Sequence, residues 1–533
     1  MGIKDRKMRI ILYICMGIII LYPLLKLMFI SSNIFSISII ENAYNEARDY
    51  VSFRMSHLAY NGINPYSKDV FEKTNVPFIL LYTGLYPLLV AILCRITGLN
   101  ILTGYYIVNV FLVLLTFINV WYMVKDAISS CKVYVAICTC INTCTFFALF
   151  GLPIFNFHTD TIGIFFMSVI ILLVKKEKST WLMAIMSVCL IFTKQILIVM
   201  VVPLFVYLFI LERKKAYAYF VECFICGVGV FAIIQLLFPL YWTETIYFQF
   251  FVSKSYGSFI DAVKNVVHLF YRYWIFVLII CIENILNLAR QKFSLVRFIK
   301  TTIQDKYKLY MILNILFGTI FLLYFAKCGE DGYKYCQDIL AINIYILALY
   351  SIKKILAAFN DHSNSEKKYN RFMAISLIIL GVATTITYSH FDSRHYTKSD
   401  VDNMVTLDSL ISMHEGEAMY LGINSTQYML NRDIWEDKNI WFNDGQIQYF
   451  YEKYPDNWLG KFFYAELIQK EAEEYVSEVN KMIKNKEFKI VTTCIDEIVD
   501  QDALIENYNK VYEIPMMTDT NYSFEVVVWL PKE

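Results

Sequence analysis

Apolar residues run in long blocks through the first three quarters of the chain, and the blocks are separated by short basic turns. A membrane-spanning helix needs about 20 mainly apolar residues. The first such block, residues 9–30, follows a basic start and no small-x-small cleavage site comes after it, so it reads as an uncleaved signal anchor with a cytoplasmic N-terminus. Later blocks predict spans at 101–124, 216–239, 273–289, 310–326, 339–352 and 372–387. Four basic turns, around Lys175, Lys214, 292–308 and 353–371, belong on the cytoplasmic side. That parity requires 101–124 to be one crossing and makes 76–97, broken by Pro77, Gly84, Pro87 and Arg95, a juxtamembrane element on the outer face.

The block 180–211 holds 32 residues between two basic flanks. As one helix it would be about 48 Å long, against a hydrocarbon core of about 30 Å. Two short helices meeting near Lys194 and Gln195 reconcile its length with two cytoplasmic flanks. With two further crossings between Lys125 and Lys175, on either side of an outer loop at 156–160, the count is eleven spans with the C-terminus outside. After Tyr388 the pattern changes. Segments 488–495 and 522–530 read as strands and 466–482 as an amphipathic helix, which predicts a small extracytoplasmic α/β domain. The expected division is a membrane module over 1–389 and a soluble domain over 390–533.

Composition sharpens this picture. Of 533 residues 57% are hydrophobic and only 18% charged, where soluble domains carry about 25% charged residues. A soluble enzyme on an anchor, a disordered chain and a nucleic-acid binder are excluded. The net charge of +1 conceals 13 Lys and Arg against 27 Asp and Glu from Tyr388 onward, and 35 against 20 before it. Most of the 13 cysteines lie in apolar runs and act as small hydrophobes; Cys328 and Cys336 flank one short loop and are spaced to pair if it faces an oxidising compartment.

Given that topology, the unusual polar residues gather on the outer side. The first loop carries Glu41, Asn45, Glu46, Asp49 and His57; the second Asn156, His158 and Asp160; the third is the Lys194–Gln195 apex; the fourth, 241–272, carries Glu244, Lys254, Asp261 and His268; the fifth contains Lys327, Tyr333 and Lys334. A carboxylate in a hydrated loop is ordinarily just solvated, and Lys327 and Lys334 have the length to snorkel. Lys194 is different, because Ile191, Phe192, Ile196, Leu197 and Ile198 surround it in sequence. A lysine at a helix centre costs about 2.5–3.5 kcal/mol to insert, so an intramembrane lysine implies a function. Carboxylates with a buried lysine suit a phosphorylated, lipid-borne substrate.

The run from Arg48 to Tyr66 resembles the first-loop signature of the GT-C class of membrane glycosyltransferases, the class of the protein mannosyltransferases and aminoarabinose transferases. In that class an Asp beyond the first span is followed by Gly and then by Tyr at the spacing of Asp49, Gly62 and Tyr66, with Asn64 and Pro65 completing the pattern here. Residues 82–89 are similar to the class's juxtamembrane Tyr-Pro-Pro-Leu segment with a single proline, Thr193-Lys194-Gln195 is similar to a turn in its members, and Gly332 to Tyr335 resembles its Gly/Arg-Tyr segment with Lys334 where Arg is common. The resemblance spans roughly residues 9–390 and leaves sugar and acceptor unassigned. It implies an α-helical polytopic membrane fold and transfer of a sugar from a polyprenyl-phosphate-linked donor to a glycan, lipid or protein acceptor on the outer face. Catalytic candidates are then Asp49 as general base, with Glu46 and Asp160 beside it. Lys194, Gln195, Tyr66, Tyr82, His158, Tyr333 and Lys334 are the candidate substrate-binding residues. Asp49 with Asp160 also has the oxygen donors a divalent cation takes, but two acids make an incomplete site and no metal is assigned. A transporter or lipid flippase, and a polysaccharide polymerase or ligase, are the rival readings; the absence of internal repeats and the long first loop count against them.

Overall fold

The computed structural model describes residues 10, 47–67, 83–127, 159–252, 258–325, 337–360, isolated positions between 402 and 417, and residues 418–421, 440–442, 465–493, 500–517 and 523–533. The first part is helical. Helix α1 spans Ala47–Tyr60, α2 Leu85–Thr97, α3 Ile101–Ala127, α4 Asp160–Lys175 and α5 Thr180–Thr193. A 3-10 segment, Gln195–Met200, leads into α6, Val202–Leu211, and α7 covers Arg213–Leu237. A wide-turned π-helical stretch, Thr243–Val252, precedes α8 (Phe259–Arg272), α9 (Trp274–Arg290), α10 (Leu295–Gln304), α11 (Lys306–Phe325) and α12 (Gln337–Asn360). Among the described residues α3 and α7 are long and apolar enough to cross a membrane, and α8 with α9 form a third crossing if that bent pair is one span. Of the other predicted crossings, the pair over 180–211 and residues 340–352 of α12 are shorter apolar helices, α11 has 20 residues, and those at 9–30, apart from Ile10, and 372–387 are outside the described residues.

Two expectations change. The outer loop at 241–272 is largely helical. Helix α8 is fixed by a capping box in which Asp261 N–H bonds the Ser258 hydroxyl oxygen (3.3 Å) and Ser258 N–H bonds the Asp261 carboxylate (2.8 Å). The basic turn at 292–308 likewise contains α10, whose apolar residues recur at helical spacing.

The division of 180–211 is found as expected. Helix α5 ends at Thr193, Lys194 is extended (φ −158°, ψ 115°), and the chain turns through the 3-10 segment into α6. Both flanks return to one end of the helical body. Glu177, ahead of α5, is held below the usual carboxylate range first by its hydrogen bond from Lys306 and more weakly by the charge of Lys215 beyond α6. Lys306 bonds Glu177 at 2.9 Å and Lys354 pairs with Asp305, so all four basic turns share that end. The first loop is at the other. Asn64 Nδ2 donates to the Leu237 carbonyl at the far terminus of α7 (2.7 Å), and Leu240 N–H donates to the Tyr66 carbonyl (3.0 Å). With 25 residues, α7 separates the two ends by about 37 Å.

The C-terminal part forms a mixed five-stranded sheet of β1 (Ala418–Leu421), β2 (Ile440–Phe442), β3 (Ile490–Thr493), β4 (Tyr508–Met517) and β5 (Ser523–Pro531) in the order β2-β1-β3-β5-β4. The β2-β1-β3 half is parallel and the β3-β5-β4 half antiparallel. Helices α13 (Ala465–Lys484) and α14 (Gln501–Asn507) complete it, α13 burying Val476, Val479 and Ile483. The strands and the helix expected here are β3, β5 and α13; β1, β2 and β4 add to them.

Candidate functional site

The site is built around the first loop. Helix α1 ends and the chain reverses through Gly62, whose φ of +80° is strained for any residue with a Cβ. Asn64 then locks the reversal, accepting from Tyr66 N–H (3.1 Å) while its amide holds Leu237. Tyr66 is driven inward as a fully buried wedge, edge-on to Tyr241 (4.9 Å between centroids) and Phe238 (5.9 Å), with its hydroxyl donating to Met55 Sδ (3.6 Å). Burial pushes its phenol well above the usual range, with smaller contributions from Tyr241 and the Glu244 carboxylate. Gly84 closes this packing: a Cβ there would come within 2.1 Å of Met55 Cε and 3.3 Å of the Tyr66 hydroxyl. Beneath the wedge, Ser56, Tyr105 and the Ser52 carbonyl tie α1 to α3, with Tyr105 donating to Ser52 at 2.8 Å.

At the helix break the chain buries several polar groups together. Lys194 is 1% exposed, Gln195 4%, and Thr243, Glu244 and Thr245 no more than 1%. Gln195 Nε2 donates to the Thr245 carbonyl (3.0 Å), which places Glu244 and Lys194 each one residue along its strand of chain from that bond. The Thr245 hydroxyl in turn donates to the Tyr241 carbonyl (2.7 Å). With α5 contributing 14 residues, Lys194 stands about 21 Å from the basic end, recessed in the body.

Beside this cluster is a cavity of 210 Å³ lined by Thr83, Val188, Phe192, Gln195, Phe231 and Trp242 among others. Its walls are almost wholly apolar, with Phe231 stacked on Trp242 at 4.6 Å and Phe192 edge-on to Trp242 at 6.0 Å. It lies between α5 and α7, and α7 is open along its outer face, where Phe224 is 64% exposed. An apolar slot therefore adjoins the polar cluster through Gln195. Such an arrangement suits a molecule with an anionic head and a hydrocarbon tail.

Of the residues expected at the site, the structure brings together Lys194 and Gln195, with Tyr66 joined to them through Tyr241 and Glu244. Asp49 lies in the first turn of α1 and Asp160 opens α4; their side chains, and all of Glu46, Tyr82, His158, Tyr333, Lys334, Cys328 and Cys336, are outside the described residues. Glu244 is the residue sequence reasoning passed over, because it was counted as a solvated loop acid. The only signal was its place just after Pro239, between two threonines. Among the described residues no three His, Cys, Asp or Glu side chains gather as a metal site.

No family model matches the chain, and no curated protein matches it. Among solved structures, it is similar to ArnT from Cupriavidus metallidurans bound to undecaprenyl phosphate, with a TM-score of 0.54 over 96% of this chain and 97% of that one, at 12% identity. The likeness is one of fold, over nearly the whole of both chains, and agrees with the membrane fold that the first-loop resemblance implies.

Proposed function

We propose that this protein is a membrane glycosyltransferase that moves a sugar from a polyprenyl-phosphate-linked donor to an acceptor at the end of the body opposite the basic turns. The observation that carries the reading is the burial of Lys194, Gln195 and Glu244 about the break between α5 and α6, with an apolar slot adjoining Gln195. The bound undecaprenyl phosphate of the similar structure supports the same donor class. The slot seats the first prenyl units, and the Lys194 ammonium holds the phosphate, whose charge grows as the bond to the anomeric carbon breaks. Asp49, on α1, takes the proton of the acceptor as that nucleophile attacks. By the positive-inside rule the basic end is cytoplasmic, so transfer occurs on the outer face and the domain over 390–533 is extracytoplasmic.

The test is release of polyprenyl phosphate from labelled polyprenyl-phosphate sugars by the purified full chain in lipid, in wild type and Asp49→Asn. A loss of about 10²–10⁴-fold with donor binding retained is expected. A near-wild-type rate in Asp49→Asn, with Asp160→Asn dead, would move the base to α4. No turnover of any such donor, with donor lipid failing to bind, would overturn the reading altogether.

A further inference from the structure

The basic end holds a second cavity that sugar transfer does not use. It measures 260 Å³ and lies between α9, α10 and α12. Ordinary small-molecule pockets run from about 300 to 1,000 Å³, so whatever fits this one is small. Its wall is built mainly by α9. Glu283, Asn287 and Arg290 follow one another at i, i+4 and i+7, which puts all three on one face of that helix. Just beyond, Lys292 and Phe293 have left-handed backbones (φ 53° and 58°), uncommon for residues with a Cβ, and the chain turns there into α10, whose Thr301 lines the same cavity. Lys354 arrives from α12, and Leu286 and Ile355 supply aliphatic wall.

The charges around this cavity do not cancel. Glu283 is paired with Lys308, which also donates to Asn284 at 2.7 Å, and both charges are nearly inaccessible. Asp305, which accepts from Tyr350 at 2.9 Å, is paired with Lys354. Each carboxylate thus has a lysine of its own. The Arg290 guanidinium is left over, outside any ion pair or hydrogen bond among the described residues, and the Asn287 amide is likewise uncommitted. Thr301 offers the opposite character. Its hydroxyl donates to the Phe298 carbonyl at 2.8 Å, so what it has left for a ligand is acceptor lone pairs.

We propose that this cavity binds a small, soluble polyol phosphate, with its oxyanion on Arg290 and Asn287 and a hydroxyl on Thr301. A guanidinium fork matches a phosphate oxyanion in both geometry and charge. Lys354 has further ammonium hydrogens beyond the one given to Asp305. A bare anion would leave Thr301 and the aliphatic wall without a partner, whereas a polyol ester brings a hydroxyl donor for the first and C–H surface for the second. The site is independent of the transfer reaction, and by the positive-inside rule it lies on the cytoplasmic side.

The experiment uses the full chain in phosphatidylcholine nanodiscs, titrated with glycerol 3-phosphate and separately with inorganic phosphate, and read by calorimetry and thermal melting. Wild type binds glycerol 3-phosphate more tightly than inorganic phosphate and melts higher with it. Arg290→Gln binds glycerol 3-phosphate about tenfold more weakly or worse, the loss of a charge-assisted contact. Its melting without ligand is unchanged, because the guanidinium has no partner to lose. Thr301→Val brings the two phosphates to equal affinity, since the hydroxyl contact is what separates them. If Arg290→Gln fails to fold, Asn287→Leu makes the same comparison. The proposal is overturned if wild type binds neither phosphate, shows no preference between them, or binds glycerol 3-phosphate no better than Arg290→Gln does. It is overturned equally if phosphatidylglycerol in the disc abolishes glycerol 3-phosphate binding, which would give the cavity to a lipid headgroup.

Discussion

Replacing Lys194 by Met keeps the stem and removes the charge. At 1% exposure and about 21 Å inside the body, the ammonium is in surroundings of effective dielectric near 20 rather than 80. At a separation of about 4 Å, a single negative charge on a departing phosphate is then worth about 4 kcal/mol to it, against about 1 in water. The difference of about 3 kcal/mol corresponds to about 10²-fold in turnover, within the range for removal of one transition-state donor. Donor affinity should fall less than kcat, because the phosphate charge is largest in the transition state. Steady-state transfer from a polyprenyl-phosphate sugar, together with melting in lipid with and without donor, measures both. In Lys194→Met the donor-induced shift should shrink. A lysine whose work is to pair with a carboxylate such as Glu244 predicts otherwise, since stranding one buried partner costs about 3–5 kcal/mol. Loss of stability of that size in the empty variant, with the donor-induced shift intact, would refute the phosphate-binding role.

Gly84→Ala should destabilise by about 1–3 kcal/mol by driving Met55 from Tyr66, and Met55→Ala in the same chain should restore much of the melting temperature. Glu283→Gln, which strands the buried Lys308 ammonium, should cost about 3–5 kcal/mol; the double variant with Lys308→Met should recover most of it in a denaturation cycle. In the sheet domain, the bond from Lys484, then the Ala503 N–H, hold the Asp500 carboxylate below its usual range. Its folded value is the depressed one, so its contribution is present above about pH 4 and is lost as pH falls through the folded value. Hydrogen exchange of α14 amides should follow that acid limb, and Asp500→Asn, which keeps the cap, should flatten it.

What could be read from sequence was what block length and charge determine. A 32-residue apolar run with basic flanks cannot be one helix in a bilayer, and the break indeed falls at Lys194. The spacing of Asp49, Gly62 and Tyr66 pointed to the loop that clasps α7, since Gly62 needs a positive φ and Asn64 a side chain able to bond in both directions. Residues 241–272 read as a loop from their aromatics and scattered charges, although apolar positions 259, 262, 263, 266, 267 and 270 recur at helical spacing and Ser258 with Asp261 spells a capping box. Glu244 was invisible for another reason: burial of a carboxylate is settled by what packs over it, and Gln195, which meets the adjacent Thr245, is 50 residues away in the chain. Strands β1 and β2, of four and three residues, are too short for their alternation to rise above chance.

The clasp between Asn64 and Leu237 has a consequence for biogenesis. Its partners are 173 residues apart, and a ribosome adding roughly 5–20 residues per second needs about 10–35 s to make the second after the first. Through that interval Tyr66 has neither Phe238 nor Tyr241 to pack against, and Asn64 has no carbonyl to hold. The first loop is thus the earliest part of the site to be synthesised and among the last to be completed. A nascent chain stalled before α7 emerges should expose this loop to protease, and one stalled after Tyr241 has left the translocon should protect it.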